Sequence, residues 1–176
     1  NASTHPPTLR EWLQIGPFSL ALSSGFFGFY AHAGMLSALS EAGFVPESIS
    51  GSSAGALVAG CFAAGLSCEE IAKVLFGLTR ADFWDPAPGF GLLRGDKFQS
   101  LLANTLPVDS FHQTLIPLSV SVWDMRHRRT RVIHQGDLST AIRASCALPG
   151  LFQPVAHPLG LFMDGGILDR PGVAGL

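Results

Sequence analysis

The chain has 176 residues, which is long enough for one domain with a sizeable core and short for two. Apolar residues make up 47% of it and charged residues 14%, against roughly 25% charged in an average soluble domain. This composition favours an apolar substrate or partner. A net charge of −2 and the absence of basic segments interleaved with aromatics argue against nucleic-acid binding.

The first residues and the cysteines bear on processing and location. Residues 1–7 lack an initiator Met and the pattern of a signal peptide, which indicates a trimmed or processed end. We treat residues 1–17 as an N-terminal extension and residues 18–176 as one domain.

The apolar stretch 54–66 is shorter than the ~18 residues that span a bilayer, so it predicts a buried helix and no transmembrane segment. Three cysteines cannot all pair within one chain, which predicts free thiols and favours a cytoplasmic or peripheral-membrane location.

Apolar runs and helical spacing predict four elements in the early part of the chain. A strand, a helix, a second strand and a buried helix are expected over residues 18–23, 29–42, 48–50 and 54–65. Gly43 suits the end of the first helix, and the second strand leads into Gly51. Residues 51–55 are therefore predicted to lie at a turn from a strand to a helix.

The later elements are helices and a hairpin. Helices are expected over residues 67–78, 96–106 and 141–144, strands over 116–123 and 130–133, and a last apolar run ends at Asp164. Ser67 and Glu70 fit a capping box, and Asp96 is predicted to cap the helix that follows it.

A loop over residues 81–95, rich in proline, glycine and aromatic residues, is expected to border a substrate entrance. Its aromatic side chains would either form a lipid-facing lip or pack in the core below the loop; they are Phe83, Trp84 and Phe90.

Residues 51–55 read Gly-Ser-Ser-Ala-Gly and fit the Gly-x-Ser-x-Gly pattern of a nucleophile elbow. The central Ser53 would be held in a strained turn, with Gly51 and Gly55 required because side chains there would meet neighbouring backbone. At the helix start, the Ala54 amide could stabilise the negative charge on an attacked carbonyl. The alternative is a turn of small residues that only packs tightly.

A nucleophilic serine needs a base, and none of the six histidines follows Asp164 as a Ser-acid-His order requires. Asp164 ends an apolar run and precedes Gly165 and Gly166, so its carboxylate would project from a strand end, where burial raises a carboxyl pKa. An ordinary Asp-Gly turn is the alternative reading of this segment. If Asp164 is not the base, His134 and His157 are the histidines that would replace it.

Taken together, these motifs resemble those of the patatin-like phospholipases. The matching segments are residues 51–55 and 164–166, residues 23–28 at the place of the family's glycine-rich oxyanion loop, and residues 141–154 before the catalytic aspartate. The resemblance implies an α/β fold, a three-layer α/β/α sandwich with a largely parallel central sheet. It also implies that Ser53 is the nucleophile and Asp164 its direct base, with no metal, cofactor or histidine.

The resemblance further implies an oxyanion hole made by the amides of Gly25, Phe26 and Ala54, with Gly28 as a further motif glycine. The loop departs from the family pattern, since Ser23 and Ser24 replace glycines and Phe27 replaces a basic residue. This departure weakens phosphate recognition at the loop. The chain also ends sooner after Asp164 than the resemblance implies, so a terminal strand or helix of the family fold is expected to be missing, disordered or supplied otherwise.

The predicted function is a lipid acyl hydrolase of the phospholipase A or lysophospholipase type. It would cleave carboxylic ester bonds through an acyl-enzyme, at a membrane or micelle surface. Two alternatives stay open: a general carboxylesterase on soluble esters, and a catalytically weak patatin-like domain that binds lipid or a protein.

Overall fold

In the computed structural model, which describes residues 5–176, the chain folds into a mixed six-stranded sheet packed against helices. The strands are β1 (Ser19–Leu22), β2 (Ser48–Ser52), β3 (Leu118–Asp124), β4 (Arg129–Ile133), β5 (Val155–His157) and β6 (Gly160–Asp164). The helices are α1 (Leu9–Leu13), α2 (Gly28–Glu41), α3 (Ala54–Ala64), α4 (Cys68–Gly77), α5 (Asp96–Thr105) and α6 (Leu138–Ser145). The predicted α/β class is confirmed. Residues 1–4 of the predicted N-terminal extension lie outside the described residues.

Strand β3 organises the sheet because it pairs with three other strands. It runs parallel to β2 and antiparallel to both β4 and β6. Since β4 pairs along Val120 to Asp124, β2 and β6 must share the opposite edge of β3. On that edge the two strands approach each other with their carboxyl ends, so that Ser52 pairs with Ser121 and Asp164 pairs with Val122.

The outer strands complete the mixed sheet. Strand β1 is parallel to β2, with Leu22 opposite Gly51, and β5 is antiparallel to β6. The parallel part therefore consists of β1, β2 and β3. Because parallel strands end at the same edge of a sheet, the loop after β1 lies beside the turn after β2.

Helix α3 is the centre of the core. All of its residues except Phe62 are buried, and it packs against β1, β2 and β3. A helix that is apolar all round needs cover on every side, and α2, α4 and α6 supply the rest of it. Within residues 5–176, no helix is both long enough and apolar enough to span a bilayer.

Two helix starts test the predicted caps. Ser67 and Glu70 form the predicted capping box at α4, each binding the other residue's backbone amide. The predicted cap at Asp96 is wrong, because Asp96 is already the first residue of α5. Instead, the carboxylate of Asp85 accepts from the amides of Gly95 and Lys97, at 3.0 and 3.1 Å.

Candidate active site

Ser53 lies at the turn from β2 to α3 in a strained backbone conformation, with φ 53° and ψ −119°. The glycines on either side permit this turn. A Cβ atom on Gly51 would lie 2.5 Å from the carbonyl oxygen of Gly55, and one on Gly55 would overlap the carbonyl oxygen of Leu22. The close approach of α3 to β1 and β2 thus requires glycine at both positions of the Gly-x-Ser-x-Gly pattern.

The hydroxyl of Ser53 donates a hydrogen bond to Asp164, with 2.6 Å between Oγ and Oδ2. The other carboxylate oxygen accepts from the Gly166 amide at 2.8 Å. Asp164 is 4% exposed, and burial raises the pKa of its carboxyl, although the hydrogen bonds from Ser53 and Gly166 act in the opposite direction. A buried carboxylate with a raised pKa accepts a proton more readily than an exposed one, so this pair can carry out general-base chemistry.

The two glycines after Asp164 permit close contacts with neighbouring segments. A Cβ atom on Gly165 would overlap the carbonyl oxygen of Ser121 in β3. A Cβ atom on Gly166 would lie 2.7 Å from the side chain of Ser24, in the loop after β1. The Asp164 turn is therefore packed between the centre of the sheet and the predicted oxyanion loop.

The predicted oxyanion loop lies beside the elbow, because a Cβ atom on Gly55 would also approach the Ser23 carbonyl oxygen to 2.8 Å. Gly25 has a φ of 137°, which a residue with a side chain rarely adopts. Within residues 5–176, the amides of Gly25 and Phe26 donate no hydrogen bond. The Ala54 amide belongs to the first turn of α3, where backbone donors have no partner inside the helix.

The Ser53 amide, by contrast, is occupied. It donates to the hydroxyl of Ser145 at the end of α6, at 2.8 Å. The loop is held by a histidine, since His32 Nε2 lies 2.8 Å from the Ser23 carbonyl oxygen. Neither Ser145 nor His32 was singled out from the sequence, because a serine or histidine in a helix has no local signature of such a contact.

A second buried aspartate supports the sheet beside the site. Asp169 accepts from the hydroxyl of Ser121 at 2.6 Å and from the amides of Val173 and Ala174 at 3.1 Å each. Asp169 was not predicted from the sequence either. It lies outside the Asp-Gly-Gly motif, and its partner Ser121 is distant in the chain.

The alternative bases lie elsewhere. His157 is in β5, where its ring packs against Phe162 with 5.3 Å between ring centroids. His134 lines a depression of about 530 Å³ with His112 and Gly175, and neither Ser53 nor Asp164 belongs to it. Among the described residues, Asp164 is the side chain to which the Ser53 hydroxyl donates. Residues 5–176 also contain no cluster of His, Cys, Asp and Glu that could hold a metal ion.

The three aromatic residues of the 81–95 loop differ in their burial. Phe83 is partly buried and packs against the core, and Trp84 lies under the guanidinium of Arg80, 3.7 Å from the ring centroid. Phe90 is exposed. The most continuous exposed aromatic surface is instead next to Gly25, at Phe26 and Phe27.

Comparison with known proteins identifies the family. The family model for patatin-like phospholipases matches residues 20–176. An NTE family protein of Mycobacterium tuberculosis (strain H37Rv) is 37% identical over 168 residues, which are 93% of this chain and 47% of that protein. Lysophospholipase NTE1 of Cryptococcus neoformans is 26% identical over 94% of this chain and 11% of its own length. The chain thus spans about half the length of the mycobacterial relative.

A solved structure supports the fold independently. VipD from Legionella pneumophila superposes with a TM-score of 0.75 at 20% identity, over 91% of this chain and 48% of that chain. At this identity the likeness concerns the arrangement of the sheet and its helices.

Proposed function

Because the chain belongs to the patatin-like phospholipase family, we propose that it is a lipid acyl hydrolase in which Ser53 is the nucleophile and Asp164 its base. The observation that carries this proposal is the 2.6 Å hydrogen bond from the hydroxyl of Ser53, at a strained elbow, to a buried carboxylate. Membership of a phospholipase family and similarity to a fungal lysophospholipase support a lipid ester as the substrate.

The reaction begins when Ser53 Oγ attacks the ester carbonyl carbon and its proton passes to Asp164 Oδ2. The carbonyl oxygen becomes an oxyanion. As this intermediate collapses, the bond to the alcohol breaks, the alcohol takes the proton from Asp164, and an acyl-enzyme remains. A water molecule then gives its proton to Asp164 and attacks the acyl carbon. The fatty acid leaves, and Ser53 regains its proton.

The oxyanion is stabilised by the amides of Gly25, Phe26 and Ala54. The Ser53 amide is excluded from this role because it already donates to Ser145. The positive end of the α3 dipole adds to the effect, since the oxyanion forms at the amino end of that helix. The Ser24 side chain packs toward Gly166, and the amides of Gly25 and Phe26 donate no hydrogen bond within residues 5–176.

An exposed aromatic surface beside the elbow supports a lipid substrate. We call it the aromatic patch; its rings are in successive contact, and it consists of the exposed Phe26, Phe27, Tyr30 and Phe76 and the partly buried Phe29. Phe26 and Phe27 are 70% and 78% exposed, directly after Gly25. Contiguous exposed apolar groups mark contact with apolar partners, and aromatic rings favour the interface of a lipid layer.

Replacing Phe27 and Phe76 together by serine is expected to lower the hydrolysis rate on phosphatidylcholine vesicles by about tenfold, because contact with an apolar layer removes each ring from water. The rate on a short soluble ester, p-nitrophenyl butyrate, should stay within about twofold, since neither side chain belongs to the catalytic pair. The matched control is Leu115→Ser. Leu115 is 77% exposed, but it contacts Gly65 at the far end of α3. Equal rates of variant and parent on vesicles would favour the general carboxylesterase.

The proposed chemistry is tested with a fluorophosphonate probe, which reacts with activated serines. We expect the chain to be labelled once, at Ser53, by peptide mapping. Ser52→Ala is the neighbouring control and should still be labelled, because the Ser52 hydroxyl is buried and has no hydrogen-bond partner among the described residues. Ser53→Ala should not be labelled. An unlabelled parent chain that hydrolyses no ester would instead identify a lipid- or protein-binding domain.

A further inference from the structure

The end of α6 contacts the backbone of the proposed nucleophile. Ser145 is fully buried, and its Oγ accepts from the Ser53 amide at 2.8 Å and donates to the Ser121 carbonyl at 2.6 Å. A serine hydroxyl has one proton, so donation to Ser121 leaves its lone pairs for the Ser53 amide. This single hydroxyl therefore connects the elbow to β3, at the point where β2 and β6 meet.

The residues that follow Ser145 make similar contacts. The thiol of Cys146 donates to the Ser53 carbonyl, with 3.3 Å between sulfur and oxygen. The Ala147 carbonyl accepts from the Asp164 amide at 3.0 Å. Three consecutive residues thus bind the backbones of both members of the proposed pair, and Ser145 has the shortest of these bonds to Ser53.

The strain at Ser53 gives this contact its importance. Its left-handed φ of 53° is sparsely populated by residues with a side chain and persists only where surrounding contacts hold it. The Ser145 hydroxyl is the side-chain group that holds the Ser53 amide. If it were removed, the Ser53 amide and the Ser121 carbonyl would both lose a buried partner, and the elbow would relax to satisfy them.

We propose that Ser145 is a positioning residue for acyl transfer, an inference that rests on the proposed function. It holds Ser53 in the strained conformation that directs Oγ to Asp164, and it occupies the Ser53 amide so that the oxyanion is bound by the other amides. Among the described residues, Ser145 has no hydrogen bond to the Ser53 hydroxyl or to the Asp164 carboxylate, so it acts through the backbone of the elbow.

Ser145→Ala is expected to lower kcat by about 10- to 100-fold with KM within about twofold, because a displacement of even 1 Å at a reacting atom costs about 10²-fold in rate. The rate of fluorophosphonate labelling should fall by the same factor. The pH dependence of kcat should keep its shape, since Asp164 is unchanged. Ser145→Thr keeps the hydroxyl and should recover most of the rate, and Ser145→Cys, with a weaker acceptor, should be intermediate.

The matched control is Ser139→Ala. Ser139 is also a buried serine of α6, but its hydroxyl donates to Asp137 at 2.8 Å, at the other end of the helix from the elbow. Ser145→Ala loses two hydrogen bonds and Ser139→Ala loses one, so both melting temperatures should fall, that of Ser145→Ala by more. Only Ser145→Ala should lose kcat per folded molecule, with folded protein measured by circular dichroism.

The outcomes separate this inference from the proposed function. If the parent chain is labelled at Ser53 and Ser145→Ala keeps kcat within about twofold of it, the positioning role is wrong and the proposed function stands. The same holds if Ser139→Ala loses as much kcat as Ser145→Ala. If Ser145→Ala does not fold, equal kcat for the serine, threonine and cysteine forms overturns the inference. A parent chain inert to the probe overturns the proposed function, and this inference with it.

Discussion

Asp164→Asn is expected to lower kcat by about 10³- to 10⁴-fold, because an amide cannot take the proton of Ser53. The substitution keeps the shape of the side chain, so the bond from the Gly166 amide at 2.8 Å can still form. The double variant with Ser53→Ala should be no less active than the worse single variant, since two residues that act as a unit lose their effect together. Both rates are measured on a soluble ester with folded protein in equal amounts.

The control for Asp164→Asn is Asp169→Asn. Asp169 is buried to a similar degree, 5% against 4% exposed, and also accepts a 2.6 Å hydrogen bond from a serine hydroxyl, that of Ser121. Among the described residues its carboxylate has no hydrogen bond to Ser53, so its substitution should lower stability and leave kcat per folded molecule within about threefold. Near-normal activity of Asp164→Asn would contradict Asp164 as the base and make His134 and His157 the candidates for that role.

The pH dependence of the unsubstituted chain provides an independent check of the base. Asp164 must be ionised to accept a proton, and burial raises the pKa of its carboxyl. The rate should therefore fall on the acid side, at a pH above the range of an exposed aspartate, and Asp164→Asn should lack this limb. A histidine base would give a limb near pH ~6.5 that survives the substitution. Because the folded chain binds this proton more tightly than the unfolded chain, protonation contributes stability at low pH that is lost as pH rises through the raised pKa.

Gly55→Ala is expected to lower the free energy of unfolding by about 3 kcal/mol or more. Its Cβ would overlap the Leu22 carbonyl oxygen and lie 2.8 Å from that of Ser23, and neither backbone group can yield without moving α3 away from β1. Replacing an exposed glycine in a helix by alanine normally raises the free energy of unfolding, because alanine has the higher helix propensity. Gly34→Ala in α2, where a Cβ has no neighbour within 4 Å, should stabilise the chain by about 0.5–1 kcal/mol.

Urea unfolding of both variants measures these changes. A Gly55→Ala variant as stable as the parent would mean that α3 can shift outward, and the steric basis of the elbow would then be lost. The pair of substitutions also separates backbone crowding from helix propensity, because both introduce alanine into a helix.

Local patterns in the sequence predicted most of the secondary structure, but pairing between distant strands was beyond them. The Gly-x-Ser-x-Gly turn and the capping box at Ser67 are readable because their residues are neighbours in the chain. The meeting of β2 and β6 on one edge of β3 is not, since nothing local specifies which edge a strand will join. For this reason local patterns indicated Asp164 only as a candidate base, and its direct partnership with Ser53 was stated through the family resemblance.

The errors at helix starts also have physical causes. Asp96 carries a side chain suited to a cap, but the amides of Gly95 and Lys97 donate to Asp85 from the preceding loop instead. Helix α1 was not predicted, although Thr8 and Glu11 form a capping box that the sequence displays. Ser145 was missed because a buried serine in an amphipathic helix looks like any other small residue until its neighbours across the fold are known.

The meeting of β2 and β6 has a consequence for the newly synthesised chain. Ser53 and Asp164 are separated by 111 positions, so the ribosome finishes the elbow long before the carboxylate exists. An immature chain that ends before β6 lacks the proposed base, Asp164. If Ser53 and Asp164 act as the proposed pair, hydrolysis would begin only after β6 has paired with β3 beside β2 and brought Asp164 next to Ser53.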